Sequence, residues 1–397
     1  MIDVFIHIGQ HKTGSKALQA YLFHNQNALL KQKIYYPKIV DRGDEVYQRS
    51  HFFLFAIAKY EALKALRRDH EAKIFWEKYR KFCNKSNVHS LLLGIEIERK
   101  ALDANRIILS AEDLFDMATA HELYVESEIL ECAASIIQSA CISLGWRPWI
   151  IAYLRRPDQL VQATYAQYIK GSDKHTMHFQ PYLKAYKARL DAKTTLKIWG
   201  DIFNHDAIMV RPYDGSAQSS ITKDFLINAI KLDGLNGFES NAEDLESTNR
   251  TPASEFIELM REMNQRRLEG KSFIPRTIIL QFAYDHDCRT SPTWLSDNQI
   301  QLFFNRFEND FKEIAKLYGV KGIFKGPWNN PVIRQPTCNV TRDEIYKRLE
   351  TFYIVPSFFS SLKAKTKLFL KSLSWNKYKI KKHSCAFLSK IRVRARR

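Results

Sequence analysis

Between Ile6 and Gln19 an apolar run turns through Gly9 and Gly14 straight into an amphipathic stretch, and the turn carries His11, Lys12, Thr13, Ser15 and Lys16. Glycine tolerates the backbone angles that aim consecutive N–H groups at one point, and the positive end of a following helix adds to the attraction for an anion. Lys12 supplies a point charge, and the hydroxyls of Thr13 and Ser15 supply further donors. Gripping a phosphate-like group is the chemistry these residues suit. A nucleoside-triphosphatase loop reads G-x-x-x-x-G-K-S/T; here Gly9 and Gly14 keep that spacing, but Ser15, Lys16 and Ala17 follow. The lysine and the metal-binding hydroxyl are out of register, which argues against an ordinary ATPase or GTPase and against an obligatory metal. A plain glycine turn would have no need of these polar residues together.

Two more segments could work with the loop. One apolar run ends at Arg155, Arg156, Pro157 and Asp158, and a helical stretch with Thr164, Tyr165 and Tyr168 follows. An arginine at a strand end and a hydroxyl two helical turns later can face one phosphate, which suits the guanidinium fork. The same arginines could instead pair with Asp158. Another run, Ile107 to Ser110, leads to Glu112 and Asp113, carboxylates able to accept a proton; Glu112 could equally cap the next helix. His11 is the competing base. Arg211, ending a fourth run before Pro212, is a weaker candidate for ligand contact. Asp285, His286 and Asp287 sit together as a turn facing water would, and no metal is expected there.

The set His11, Lys12, Thr13, Gly14 and Ser15, followed by Leu18, Gln19 and later Tyr36 and Pro37, resembles the 5′-phosphosulfate loop of bacterial carbohydrate-type sulfotransferases. Such enzymes use 3′-phosphoadenosine 5′-phosphosulfate (PAPS) and release the bisphosphate PAP. The resemblance spans residues 1 to about 320, in short segments. It implies a P-loop-like sulfotransferase fold and transfer of a sulfuryl group to a hydroxyl of a glycan or glycolipid. It assigns Lys12 to the 5′-phosphate and leaving oxygen, and Ser15 with the loop backbone of Thr13 and Gly14 to the same phosphate. Lys16 stands where the family commonly has a small hydroxyl residue. The family's 3′-phosphate motif, an arginine followed eight residues later by serine before tyrosine, selects Arg156 and Thr164. A glutamate comparable to Glu112 serves as base, and Asn249 with Arg250 falls where the family's C-terminal motif touches the nucleotide. Two other readings are a P-loop-type nucleotide kinase needing ATP and Mg²⁺, and a non-enzymatic, membrane-associated scaffold that keeps a degenerate nucleotide fold.

Positioning such loops takes a particular scaffold. The runs Val4–Ile8, Ile107–Ser110, Trp149–Leu154 and Ala207–Val210 read as buried parallel strands, with helical patterns such as Leu18, Leu22, Leu29 and Ile129, Ala133, Ile136, Ile137 between them. That alternation predicts an α/β fold, a doubly wound parallel sheet flanked by helices, whose ligands sit at the carboxyl ends of the strands. A helical insertion is expected over 42–104. Ser296 and Gln299 at capping-box spacing, then apolar residues from Ile300 to Leu317, predict a helix that closes a domain over 1–320. A C-terminal extension covers 321–351.

Residues 352–397 hold nine lysines and four arginines with no acid, which accounts for most of the net charge of +18. The rest is mildly basic, so nucleic acid is not the expected partner. Mixed with Leu368, Phe369, Trp375 and Phe387, the basic residues of 356–397 suit an anionic membrane surface, or a solvated tail. Six scattered cysteines without a C-x-x-C pair read as reduced thiols. With neither a signal peptide nor a membrane span in view, the expected location is cytoplasmic, with the tail free to rest on the inner face of the membrane.

Overall fold

A computed structural model describes residues 1–38, 49–80, 83, 85, 87–172, 174–214, 220–239, 252–271, 273–285, 294–321, 323–324, 328 and 347. The tail 352–397, nearly all of 321–351, and Asn249, Arg250, His286 and Asp287 lie outside them. At the centre is an all-parallel sheet of β1 (Ile2–His7), β2 (Ile34–Tyr35), β3 (Arg106–Ser110), β4 (Trp146–Leu154) and β5 (Ile208–Pro212), in the order β2-β3-β1-β4-β5. This is the expected α/β architecture. Val4, Ile6, Ile107, Ile108, Leu109, Ile150 and Ile151 are all fully buried, because helices cover both faces of the sheet; hence the continuous apolar runs. β2 went unread in the sequence because two residues paired with Arg106 and Ile107 leave no periodicity to detect. β5 starts at Ile208 and runs to Pro212 at its end, where a missing N–H costs little on an edge strand.

Helices α1 (Ser15–His24) and α2 (Gln26–Lys31) connect β1 to β2. Three helices, α3 (Phe52–Ala65), α4 (Asp69–Glu77) and α5 (Val88–Ala101), fill the described part of the insertion. α3 buries Phe53 through Lys59 without a break, as a helix enclosed on all sides does. α6 (Ser127–Ser143) links β3 to β4, and α7 (Pro157–Gly171), α8 (Phe179–Tyr186) and α9 (Ala192–Phe203) lead from β4 to β5. The closing helix α12 (Asp297–Leu317) has its capping box: Ser296 Oγ accepts from Gln299 N at 3.3 Å, and Gln299 Oε1 accepts from Ser296 N at 2.9 Å. Ile300, Phe307, Phe311 and Ile314 are buried, whereas Leu317, expected on the apolar stripe, is exposed.

The chain divides into two compact units. The larger, from 1–168, 177–251 and 292–333, carries the sheet and α12. The smaller, from 169–176, 252–291 and 334–397, contains α10 (Ser254–Leu268) and α11 (Arg276–Asp285). Within it, Asn264 donates to the carbonyls of Ser172 and His175, and Phe256 lies 6.1 Å from Phe282. Among the described residues no helix is long and apolar enough to cross a membrane.

Strand order fixes where a ligand belongs. β1 hands the chain towards β2 on one side, while its neighbour β4 hands it towards β5 on the other. Where adjacent parallel strands diverge in this way, the crevice beyond their carboxyl ends is open. The glycine loop after β1 and the arginine pair after β4 both emerge there.

Candidate active site

The β1 loop is stitched to β4 beyond the end of β1: Ile8 N donates to Ile151 O at 2.9 Å and Gln10 N to Tyr153 O at 3.0 Å. Gly9 must be glycine, since a Cβ there would lie 2.7 Å from His7 Nε2 and 3.1 Å from Thr13 Oγ1. Lys12 and Gly14 both take left-handed backbone, φ 66° and 79°, and the chain then enters α1 at Ser15. The backbone N–H groups of His11, Thr13 and Gly14 find no described backbone carbonyl. Such a run of unclaimed donors suits an anion. The hydroxyl expected of Thr13 is spent inside the loop instead, donating to Gln10 O at 2.6 Å from a fully buried position. Ser15 Oγ, also buried, makes no hydrogen bond of good geometry, and Lys16 stands exposed on the first turn of α1.

Of the two arginines after β4, the structure brings Arg155 to the loop. Its backbone N–H donates to Gln10 Oε1 at 2.9 Å, its Nη1 donates to Lys12 O at 2.8 Å, and its buried Nε has no partner among the described residues. Arg156, selected by spacing, forms a two-pronged pair with Asp158 (Nε to Oδ1 3.1 Å, Nη2 to Oδ2 2.7 Å) and lies over the Trp328 ring. The hydroxyl of Thr164 is buried, donates within its own helix to Leu160 O and Val161 O, and neighbours Tyr182 and Tyr186. A threonine in mid-helix bonds back to the preceding turn, and eight residues after Arg155 stands Ala163, which has no hydroxyl. Arg211 is committed to Asp224 through both prongs of its fork.

A cluster of acids and histidines closes the other side. After β3 a single 3-10 turn, Glu112–Leu114, sets Glu112 and Asp113 against His11. His11 Nε2 lies 3.0 Å from Ala118 O and therefore carries a proton, which turns Nδ1 towards Glu112 Oε1 at 3.8 Å. Asp113 Oδ1 lies 3.8 Å from Nε2. Burial works against charge on His11, yet contact with Glu112 prevails and raises its pKa. Burial likewise opposes ionisation of Glu112, but His11, the charge of Lys16 and the Ser15 hydroxyl hold it ionised, well below the usual range. Asp113 moves the other way, pushed up by burial and by its charged neighbour Glu112. One carboxyl is thus held ionised while the next is shifted towards its protonated form, a division of labour that suits acid–base work.

Beneath the loop lies a layer the sequence reading missed. His7 Nδ1 is 2.8 Å from Ser110 Oγ, while its buried Nε2 has no partner among the described residues. Gln19 donates to both oxygens of Ser110, and Ser110 N donates to His51 Nδ1 at 2.8 Å. His51 Nε2 in turn bonds Pro37 O at 2.9 Å. Arg189, side chain fully buried, binds Asp116 and the carbonyls of Ala118, Thr119 and Glu122, and so holds the segment on which His11 leans. These links join residues up to 103 positions apart and have no local signature.

Burial keeps His7 and His51 neutral, with pKa values lowered from 6.5 to about 4. For such groups the stabilising contribution is complete above the unfolded pKa of 6.5 and is lost as pH falls towards 4, because the unfolded chain takes up the protons first. His11, raised, runs in reverse: its contribution is present below 6.5 and fades as pH rises through its folded value. At pH about 5.5, NMR of ring-labelled protein should find His11 charged and His7 and His51 neutral, and urea unfolding should become easier from there to pH about 4. A His51 ring titrating near 6.5 would contradict this reading. Comparison with protein-family models, curated proteins and solved structures finds no match.

Proposed function

We propose that this chain is a sulfotransferase that takes PAPS as donor and transfers its sulfuryl group to a hydroxyl of a glycan or glycolipid acceptor, leaving PAP. The observation that carries the reading is the set of buried polar atoms around one glycine loop that make no hydrogen bond of good geometry with the described residues: His7 Nε2, Ser15 Oγ and Arg155 Nε. Buried polar groups are normally satisfied, and a site that leaves three of them waiting beside unclaimed N–H groups is built for an anion. Ser15 and Lys16 in place of lysine and a metal-binding hydroxyl favour a phosphosulfate over a Mg²⁺-bound triphosphate.

PAPS would supply the activated sulfuryl group. Lys12, Ser15 and the loop N–H groups of Thr13 and Gly14 hold the 5′-phosphate end, and Lys16 adds positive potential. The second phosphate falls to the exit of β4: Arg155 first, and Arg156 if it gives up Asp158. Charge in such transfers spreads over peripheral oxygens, so fixed cations do most of the catalysis. The acceptor proton passes to the His11, Glu112 and Asp113 cluster; Glu112 receives it at the surface, and His11 and Asp113 share the charge behind it. Titration calorimetry with PAP and with ATP plus Mg²⁺ tests this. PAP should bind the more tightly, and Lys12→Ala should weaken it by roughly tenfold or more. A preference for ATP would favour a kinase, and binding of neither would favour a scaffold.

A further inference from the structure

A second concave site opens on the same end of the larger unit. α6 starts at Ser127 directly after the segment that follows β3, and α9 runs down to the start of β5, so the first turns of both helices lie at the carboxyl edge of the sheet. Between them, the 116–126 segment, α8 and α12, is a groove of about 740 Å³. That is within the usual size of a small-ligand site.

Its charges are unbalanced. Three acids line it, and each is engaged within the protein: Asp116 with Arg189, Glu126 with Arg68, and Asp191 with the N–H and hydroxyl of Thr194 at the start of α9. Three cations also line it, Lys184, Lys187 and Arg306, and none forms an ion pair with a described residue. Asp191 meets only neutral donors, so a ligand faces three cations against one carboxylate that no described cation offsets, an excess of positive charge. The floor at Asp116 is three residues beyond Asp113, and the segment that walls the groove also presents Ala118 O to His11. The groove thus adjoins the proton-accepting cluster.

We infer that this groove binds the anionic part of the acceptor, a carboxylate or phosphate carried by the saccharide whose hydroxyl is to be modified. The inference rests on the proposed transfer reaction for the word acceptor, but not for the site itself. The test uses the full chain and three probes of one length: a neutral trisaccharide, the corresponding uronic acid trisaccharide and a trisaccharide phosphate. Calorimetry should show one or both anionic probes binding at least roughly tenfold more tightly than the neutral one, with the preference shrinking as salt is raised. Whichever anion binds better names the charge carrier.

The combined variant Lys184→Glu, Lys187→Glu, Arg306→Glu, at exposed positions, should lose that preference while keeping its affinity for PAP and its melting temperature. Lys12→Ala should do the opposite, losing PAP and keeping the trisaccharides. No preference for the charged probes, or a preference that survives the triple reversal, overturns the inference. If PAP fails to bind but the preference follows the three cations, the donor reading falls and the groove is upheld.

Discussion

Replacing Arg189 with methionine is expected to lower stability in urea unfolding by about 3–5 kcal/mol, a large share of what a protein of this kind possesses. Arg189 and Asp116 have side chains 0% and 6% exposed and meet through two contacts, Nε to Oδ2 at 2.7 Å and Nη2 to Oδ1 at 3.1 Å. Nη1 donates to Thr119 O at 2.8 Å and also to Glu122 O, and the guanidinium lies 5.2 Å from the centre of the Tyr186 ring. Methionine fills much of the volume but leaves a buried carboxylate without its cation and carbonyls without their donor. Both losses are costly because no water replaces them. Adding Asp116→Leu should recover the electrostatic part, since removing both partners of a buried pair is cheaper than removing one. The carbonyls would still be unsatisfied, so recovery should be incomplete. A loss below about 1 kcal/mol for Arg189→Met would mean that water reaches this pair and that the 116–126 segment is held by something else.

The contrast between this latch and the glycine loop explains what could be read from the sequence. Gly9, Lys12, Gly14 and Ser15 lie within seven positions, and their roles follow from local backbone geometry, so the turn from β1 into α1 was visible in the residues themselves. The parallel sheet was visible for a similar reason: a strand covered on both faces must be apolar at nearly every position, as Ile107 to Leu109 are. β2 is too short to show a pattern. Spacing singles out Arg156, which Thr164 follows eight residues on, over Arg155, which Ala163 follows. What separates them is a carboxylate two residues on and a loop about 140 residues back, and only the fold says which arginine meets which. Arg189, His51 and Ser110 act through partners on distant elements, and no periodicity marks them.

That distinction yields a second large effect. Arg155→Met is expected to weaken PAP by about 30- to 100-fold, the equivalent of one charge-assisted contact of 2–3 kcal/mol, while leaving the unliganded protein as stable as before or slightly more so. In the unliganded protein burial lowers the pKa of Arg155, and among the described residues no acid forms an ion pair with it; its near neighbour Asp158 is already taken by Arg156. A partly buried cation in that position costs stability until an anion arrives, so removing it should relieve the protein even as it disables the loop. Methionine also forfeits the bond from Nη1 to Lys12 O, which helps hold Lys12 in its left-handed turn, and part of the affinity loss should come from there. Arg156→Met should behave in the reverse manner. It strips Asp158, whose side chain is 1% exposed, of its only salt bridge among the described residues, so stability should drop by several kcal/mol while PAP affinity falls less than in Arg155→Met. Calorimetry and urea unfolding on the two variants side by side decide the matter. If Arg156→Met loses PAP and Arg155→Met does not, the second phosphate is gripped by the other arginine, and the contact between Arg155 and the loop is structural.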